Sequence, residues 1–181
     1  MLDAIFSLAF LAQTIRISVP YALPAMGATF SERGGVVNIA LEGIMLIAAF
    51  ATTVGTFFTG NVLLGIGCGL LAGTATALLH SVISVTLKAD QIVSGIGINL
   101  LAIGLTKFCC QLVFNSSSNS SRISGFEQWP ALASIPLLDN PFVPATIILL
   151  AGSHLVLFKT RFGLRLRSVG EHPKAAETLG V

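Results

Sequence analysis

Charge is scarce in this chain. Only 10% of its 181 residues are Asp, Glu, Lys or Arg, while 54% are apolar, and a soluble domain ordinarily carries about 25% charged residues. That scarcity excludes a water-soluble domain, because too little polar surface is left to cover one. A net charge of +2 is too small to point to a nucleic-acid partner. The three cysteines, Cys68 and the neighbours Cys109 and Cys110, form no CxxC pair and no metal-ligand spacing, so they read as inert packing thiols. HExxH, GxSG and paired intramembrane aspartates are also missing, since Asp90 and Asp139 sit at or beyond the ends of apolar runs. No catalytic residue is assigned, and a membrane-embedded enzyme is not expected. The run Gly65-Ile-Gly67-Cys-Gly69 lacks GxGxxG spacing, a preceding strand and a phosphate-binding Lys, so no nucleotide or other cofactor site is expected in this chain. The opening Met-Leu-Asp-Ala-Ile-Phe has no basic n-region and does not read as a cleaved signal peptide.

What the chain does have is apolar length. Five segments, at about Ala4–Thr29, Val36–Phe58, Val62–Leu87, Gln91–Phe114 and Phe142–Phe158, each approach the roughly 20 residues that a helix needs to cross the hydrocarbon. The expected fold is therefore an all-α integral membrane protein, a polytopic helical bundle of about five segments. Pro20 and Pro24 each remove a backbone donor, so the first segment is expected to be kinked or broken there. The one long link, 115–141, opens with Asn-Ser-Ser-Ser-Asn-Ser-Ser and goes on to Phe126, Trp129 and Pro130, which suits an exposed loop whose aromatics return to the interface.

Basic residues orient the chain. If the fifth segment ends in the cytoplasm, alternation places Arg33, Lys88, Lys159, Arg161, Arg165, Arg167 and Lys174 inside and Arg122 alone outside, which fits the positive-inside rule. The amino terminus is then outside, loop 115–141 extracytoplasmic and region 159–181 cytoplasmic.

Gly65, Gly69 and Gly73 recur every four residues and form a smooth stripe for close helix approach, and Gly95, Gly97 and Gly104 lighten the fourth segment. Three ionisable groups, Arg16, Glu42 and Lys107, fall within the spans and must face protein or water, or else snorkel. Lys107 lies near an outer end, where snorkelling accounts for it. Arg16 and Glu42 have two readings that do not exclude each other. In one they pair and fix helix packing. In the other, Glu42 and Asn38, one turn apart, form a polar face of a solute path together with Ser94 and Asn99. His80 and His154 stand alone on apolar segments and read as satisfied core or interface histidines.

Three blocks then carry a resemblance: Phe30-Ser-Glu-Arg-Gly-Gly-Val-Val-Asn-Ile-Ala-Leu-Glu-Gly43, Ala89-Asp-Gln-Ile-Val-Ser-Gly-Ile-Gly-Ile-Asn-Leu101, and Arg161-Phe-Gly-Leu-Arg-Leu-Arg-Ser-Val-Gly-Glu-His-Pro-Lys-Ala-Ala-Glu-Thr-Leu-Gly180. In this order they resemble the permease subunits of ABC importers of the branched-chain amino acid and simple-sugar class, nearest the nucleoside type. The resemblance implies one transmembrane permease domain over 1–181, corresponding to the N-terminal part of the family's full domain, in a bacterial inner membrane. It implies a second permease subunit, separate ATPases that bind the ATP, and an extracytoplasmic binding protein or lipoprotein that delivers a nucleoside or simple sugar. It places the cytoplasmic coupling element on Gly170, Glu171, His172, Pro173, Lys174, Ala175, Ala176 and Gly180. Pro173 suits a helix start, and the small Ala175 and Ala176 suit close docking. Family members continue beyond this element whereas the sequence stops at Val181, so a truncated or split permease is an alternative expectation, as is a structural or channel-like membrane protein.

Overall fold

A computed structural model describes residues 8–123, 140–178 and 180, and all the regular structure among them is helical. Seven α-helices follow in order: α1 Leu8–Arg33, α2 Leu41–Thr59, α3 Val62–Ser81, α4 Gln91–Phe114, α5 Phe142–Lys159, α6 Arg161–Glu171 and α7 Pro173–Thr178. A π-helical turn, Val82–Thr86, extends α3. The expectations placed on Phe126, Trp129, Pro130 and Asp139 lie outside the described residues.

The chain divides into two compact units, Val36–Phe126 and the pair of stretches Met1–Gly35 and Glu127–Val181. In the first, α2 and α3 are antiparallel neighbours joined by a tight turn. Gly60 makes it possible with a left-handed φ of 65°, and Asn61 caps α3 by accepting from the Leu63 and Leu64 amides at 2.9 and 3.4 Å. Asp90 caps α4 the same way, through the Ile92 and Val93 amides at 2.8 and 3.0 Å. The α2–α3 seam is built on absent side chains. A Cβ at Gly65 would collide with the Thr56 hydroxyl and lie 2.7 Å from the Thr52 carbonyl, and one at Gly69 would collide with the Thr52 hydroxyl and lie 2.8 Å from the Ala48 carbonyl. The bulk points the other way, with Leu70 and Leu71 67% and 74% exposed. This inversion suits lipid as solvent, where close backbone packing rather than burial of leucines holds helices together.

The second unit combines α1 and α5 with the two short terminal helices. Thr160 accepts from the Gly163 amide at 3.2 Å and so starts α6 directly after α5. Gly163 is buried against the Leu157 carbonyl, where a Cβ has no room. His172 ends α6 in a non-helical conformation, as the following proline favours, and Pro173 opens α7.

Among the described residues four helices are long and apolar enough to cross a membrane: α2, α3 with its π turn, α4 and α5. The first of the five expected segments is not among them. At 26 residues α1 is long enough, but Gln13, Thr14, Arg16 and Ser18 dilute it. Nor is it broken, since the helix runs uninterrupted through Pro20 and Pro24. The irregularity falls instead at Val82-Ile-Ser-Val-Thr86, where four of five residues are β-branched and crowd an α-helical turn. A second boundary moves inward, because the chain read as helical from Val36 stays non-helical until Leu41.

Candidate functional site

Hydroxyl groups do little between these helices. Thr52, Thr53, Thr56, Thr76, Thr106 and Thr146 each donate to the carbonyl four residues earlier on their own helix, at 2.6 to 2.9 Å. Among the described residues of Val36–Phe126, the side-chain hydrogen bonds that join one helix to another helix or to the segment before α2 come from Gln91, Asn99 and the Ser94–His80 pair.

Asn99 does the most. Its Oδ1 accepts from the Gly43 amide at 2.8 Å and its Nδ2 donates to the Ile39 carbonyl at 3.0 Å. Gln91 Oε1 accepts from the Val37 amide at 2.8 Å. Together the two side chains of α4 hold the non-helical segment that precedes α2. Gly95 lets that segment in: a Cβ there would stand 2.9 Å from Ile39 Cβ and 3.1 Å from the Ala40 amide, and Ala40 is completely buried. Buried non-helical backbone survives only where its polar groups find partners. This clamp is how the chain satisfies it.

Of the four residues assigned to a solute path, Asn38 lies in the clamped segment, not on a helix face as expected, and its Oδ1 accepts from the Ala40 amide at 3.1 Å. Glu42 is exposed in the first turn of α2, where its charge favours the helix amino terminus. Asn99 is spent on backbone, and Ser94 Oγ meets His80 Nδ1 at 3.1 Å. Among the described residues no hydrogen bond joins these four side chains to one another. The clamp does bring Asn38, Glu42 and Asn99 to one end of the α2–α4 pair. Toward the other end, a cavity of about 500 Å³ lies between α2, α4 and the start of the following loop. Phe50, Thr53, Thr106, Lys107 and Ser117 are among the residues lining it, and Lys107 reaches it with an exposed side chain. Sequence reasoning missed this recess. The signal was the matched spacing of Leu46, Ala49, Phe50 and Thr53 on α2 with Ile103, Thr106, Lys107 and Cys110 on α4, one face of each helix.

His80 departs from its reading as a satisfied core histidine. Its side chain is buried, and Nε2 has no hydrogen-bond partner. His154 is exposed and stacks on Phe158 at 5.0 Å. Arg16 lies in one compact unit and Glu42 in the other.

The expected coupling residues follow α5. Gly170 touches backbone directly: a Cβ there would collide with the Arg33 carbonyl and stand 2.9 Å from the Gly35 amide, and Gly35 itself has a left-handed φ of 84°. Arg33 and Arg167 both lie over the Phe158 ring, at 5.9 and 5.1 Å from its centroid. Glu32, Arg33, Arg167, Gly170 and Glu171 line a charged recess of about 260 Å³. Ala176 is buried while Ala175, beside it, is exposed, so the two alanines do not share one docking face. Glu171, His172, Pro173 and Lys174 are exposed, and Gly180 closes a turn with φ 73°.

Comparison with known proteins adds the family. Residues 10–181 match the family described as branched-chain amino acid transport system / permease component. The chain is 42% identical over 184 residues to the nucleoside ABC transporter permease protein NupC of Lactococcus lactis, covering 94% of this chain and 58% of that protein. It is 39% identical over 183 residues to the guanosine ABC transporter permease protein NupQ of Bacillus subtilis, covering 93% and 57%. With the putative glucose ABC transporter permease protein TsgC13 of Haloferax volcanii it shares 35% over 188 residues, covering 97% and 56%. The chain thus spans a little over half the length of these relatives. No solved structure matches it.

Proposed function

This chain belongs to the branched-chain amino acid transport system / permease component family, and from that premise we propose that it forms part of the membrane pathway of an ATP-driven importer for a small neutral solute, a nucleoside or a simple sugar. The names of the relatives support that solute class. The observation that carries the reading within the chain is the clamped segment 36–40. The backbone there leaves the helical path and is held by the side-chain amides of Asn99 and Gln91, an arrangement akin to the discontinuous helices around solute sites in transporters.

The chain itself hydrolyses nothing in this reading. Separate ATPases bind and cleave ATP, a second permease subunit completes the pathway, and an extracytoplasmic binding protein or lipoprotein delivers the solute. The terminal helices α6 and α7 take the motor's stroke. Their support is mechanical: Gly170 seated on the Arg33 to Gly35 backbone and Arg167 over Phe158 tie α6 to the end of α1 and to α5, so that a displacement of one reaches the others. Alternating access follows when that displacement changes which conformation of the bundle is favoured. The excess of Lys and Arg around residues 159–174 supports a cytoplasmic location for this end and an extracytoplasmic amino terminus, in a bacterial inner membrane.

The test is uptake of tritiated guanosine, uridine and glucose into cells that express the complete transporter with either an active or a hydrolysis-deficient ATPase. Uptake that requires the active ATPase is expected for at least one of the three. Uptake indifferent to the ATPase would identify a channel instead.

A further inference from the structure

One face of α3 changes character along its length. Gly65, Gly69, Gly73, Thr76, His80 and Ser84 recur every three or four residues and all are buried. The first three are packing glycines, and Thr76 satisfies its hydroxyl on the Ala72 carbonyl at 2.8 Å. His80 is different. The ring is 3% exposed, its Nδ1 lies 3.1 Å from Ser94 Oγ and 3.4 Å from Ser84 Oγ, and its Nε2 is enclosed without any partner. It is the one buried side-chain polar atom left in that condition among the described residues.

Either tautomer leaves the same deficit. If Nδ1 accepts from a serine hydroxyl, Nε2 carries a hydrogen with nothing to donate to. If Nδ1 donates, Nε2 is an acceptor facing no donor. Such a group carries an uncompensated desolvation penalty that an apolar ring of similar shape would avoid. Buried unpaired groups in native proteins call for an explanation, and a partner absent from the observed state is one. The setting agrees, because the π turn that begins two residues later is the kind of irregularity that recurs at functional sites.

We propose that His80 Nε2 is a solute-binding contact of the transport pathway, closed in this conformation and opened when α3 and α4 separate around the cargo. Ser94 and Ser84 fix the imidazole through Nδ1, and Nε2 meets a hydroxyl, a ring nitrogen or a carbonyl of the solute. Among the described residues no carboxylate is hydrogen-bonded to the cluster, so the chemistry that fits is a neutral polar edge, such as that of a nucleoside or sugar, and not an ion in need of a counter-charge. The inference rests on the permease reading and adds to it a residue that touches the cargo.

The two ring nitrogens can be tested separately, because an asparagine amide reaches about where Nδ1 sits and a glutamine amide about where Nε2 sits. The transporter as a whole, with its ATPase and binding protein, is assayed for uptake of whichever of tritiated guanosine, uridine or glucose the natural protein takes up. His80→Asn and His80→Phe should raise the half-saturating concentration about tenfold, as sites built to hydrogen-bond a solute do when the bond is lost. His80→Gln should stay within about threefold of the natural protein, with membrane abundance equal in all three. The opposite order, asparagine tolerated and glutamine not, would assign His80 to the Ser94 bond alone and overturn the proposal, as would three unaffected variants. Should the variants not accumulate, carbethoxylation of His80 by diethyl pyrocarbonate in the natural protein, followed by mass spectrometry, decides. Slowing by saturating solute supports the contact and no slowing overturns it. If the natural protein takes up none of the three solutes, the permease reading falls first and this inference with it.

Discussion

The two compact units solve the same problem in different ways. Each must hold helices together with almost no buried leucine or phenylalanine, since no large side chain is fully buried among the described residues. Val36–Phe126 does it along the length of its helices, with the Gly65, Gly69 and Gly73 stripe and the Asn99 clamp. The unit of residues 1–35 and 127–181 concentrates its special contacts at one end, where Gly170 meets Arg33 and Gly35 and two arginines share the Phe158 ring. A seam spread over several turns favours one packed arrangement. A joint at a helix end instead ties α6 to α1 and α5 at one place.

The comparison breaks most visibly at the seam. Replacing both Gly65 and Gly69 with Val should cost more than about 3 kcal/mol, because each added side chain meets backbone carbonyls and a threonine of α2 that cannot withdraw. The measure is loss of membrane-inserted protein and of thermal stability in detergent. Gly67→Val is the control. Nothing lies within 4 Å of a Cβ there, so it should change stability by less than about 0.5 kcal/mol, and equal damage from both would mean that the stripe does not pack as described.

The clamp comes next. Asn99→Ala strands the Gly43 amide and the Ile39 carbonyl, each worth about 1–3 kcal/mol when buried and unpaired. Gln91→Ala strands only the amide of Val37, a residue 47% exposed, where water substitutes. Asn99→Ala should therefore lower the thermal midpoint clearly more than Gln91→Ala does, and the reverse order would move the clamp's centre to the exposed end.

The difference between the units also explains what could be read in advance. Helical class, the placing of α3, α4 and α5 and the glycine stripe were legible because they are written in local periodicity and composition. The clamp was not. Val36-Val-Asn-Ile-Ala40 is apolar enough to pass for the start of a helix, and only the long-range bonds from Gln91 and Asn99 make the non-helical path cheaper than the helical one. Asn99 was singled out for its polarity in an apolar run, yet its backbone partners lie 56 and 60 residues away and leave no local trace. The same holds for Gly170, whose neighbours at Arg33 and Gly35 come from the far end of the sequence. His80 misled for the opposite reason. Single histidines in apolar segments usually find partners for both nitrogens, and only geometry reveals that Nε2 has none.

The smallest structural effect is expected at the terminal helices, where it separates docking from folding. Ala175 and Ala176 are adjacent and chemically identical, but Ala176 is 3% exposed whereas Ala175 is open to solvent. Ala176→Leu forces bulk into the chain's own packing and should lower the thermal midpoint. Ala175→Leu adds bulk only where a partner would press and should leave the midpoint unchanged while reducing co-purification of the ATPase several-fold. If Ala175→Leu lowers stability and spares the ATPase, α7 serves its own unit and the motor is gripped elsewhere. The charged recess of Glu32, Arg33, Arg167 and Glu171 is then the surface to alter next, because it combines both signs of charge with the close approach of Gly170 to the end of α1.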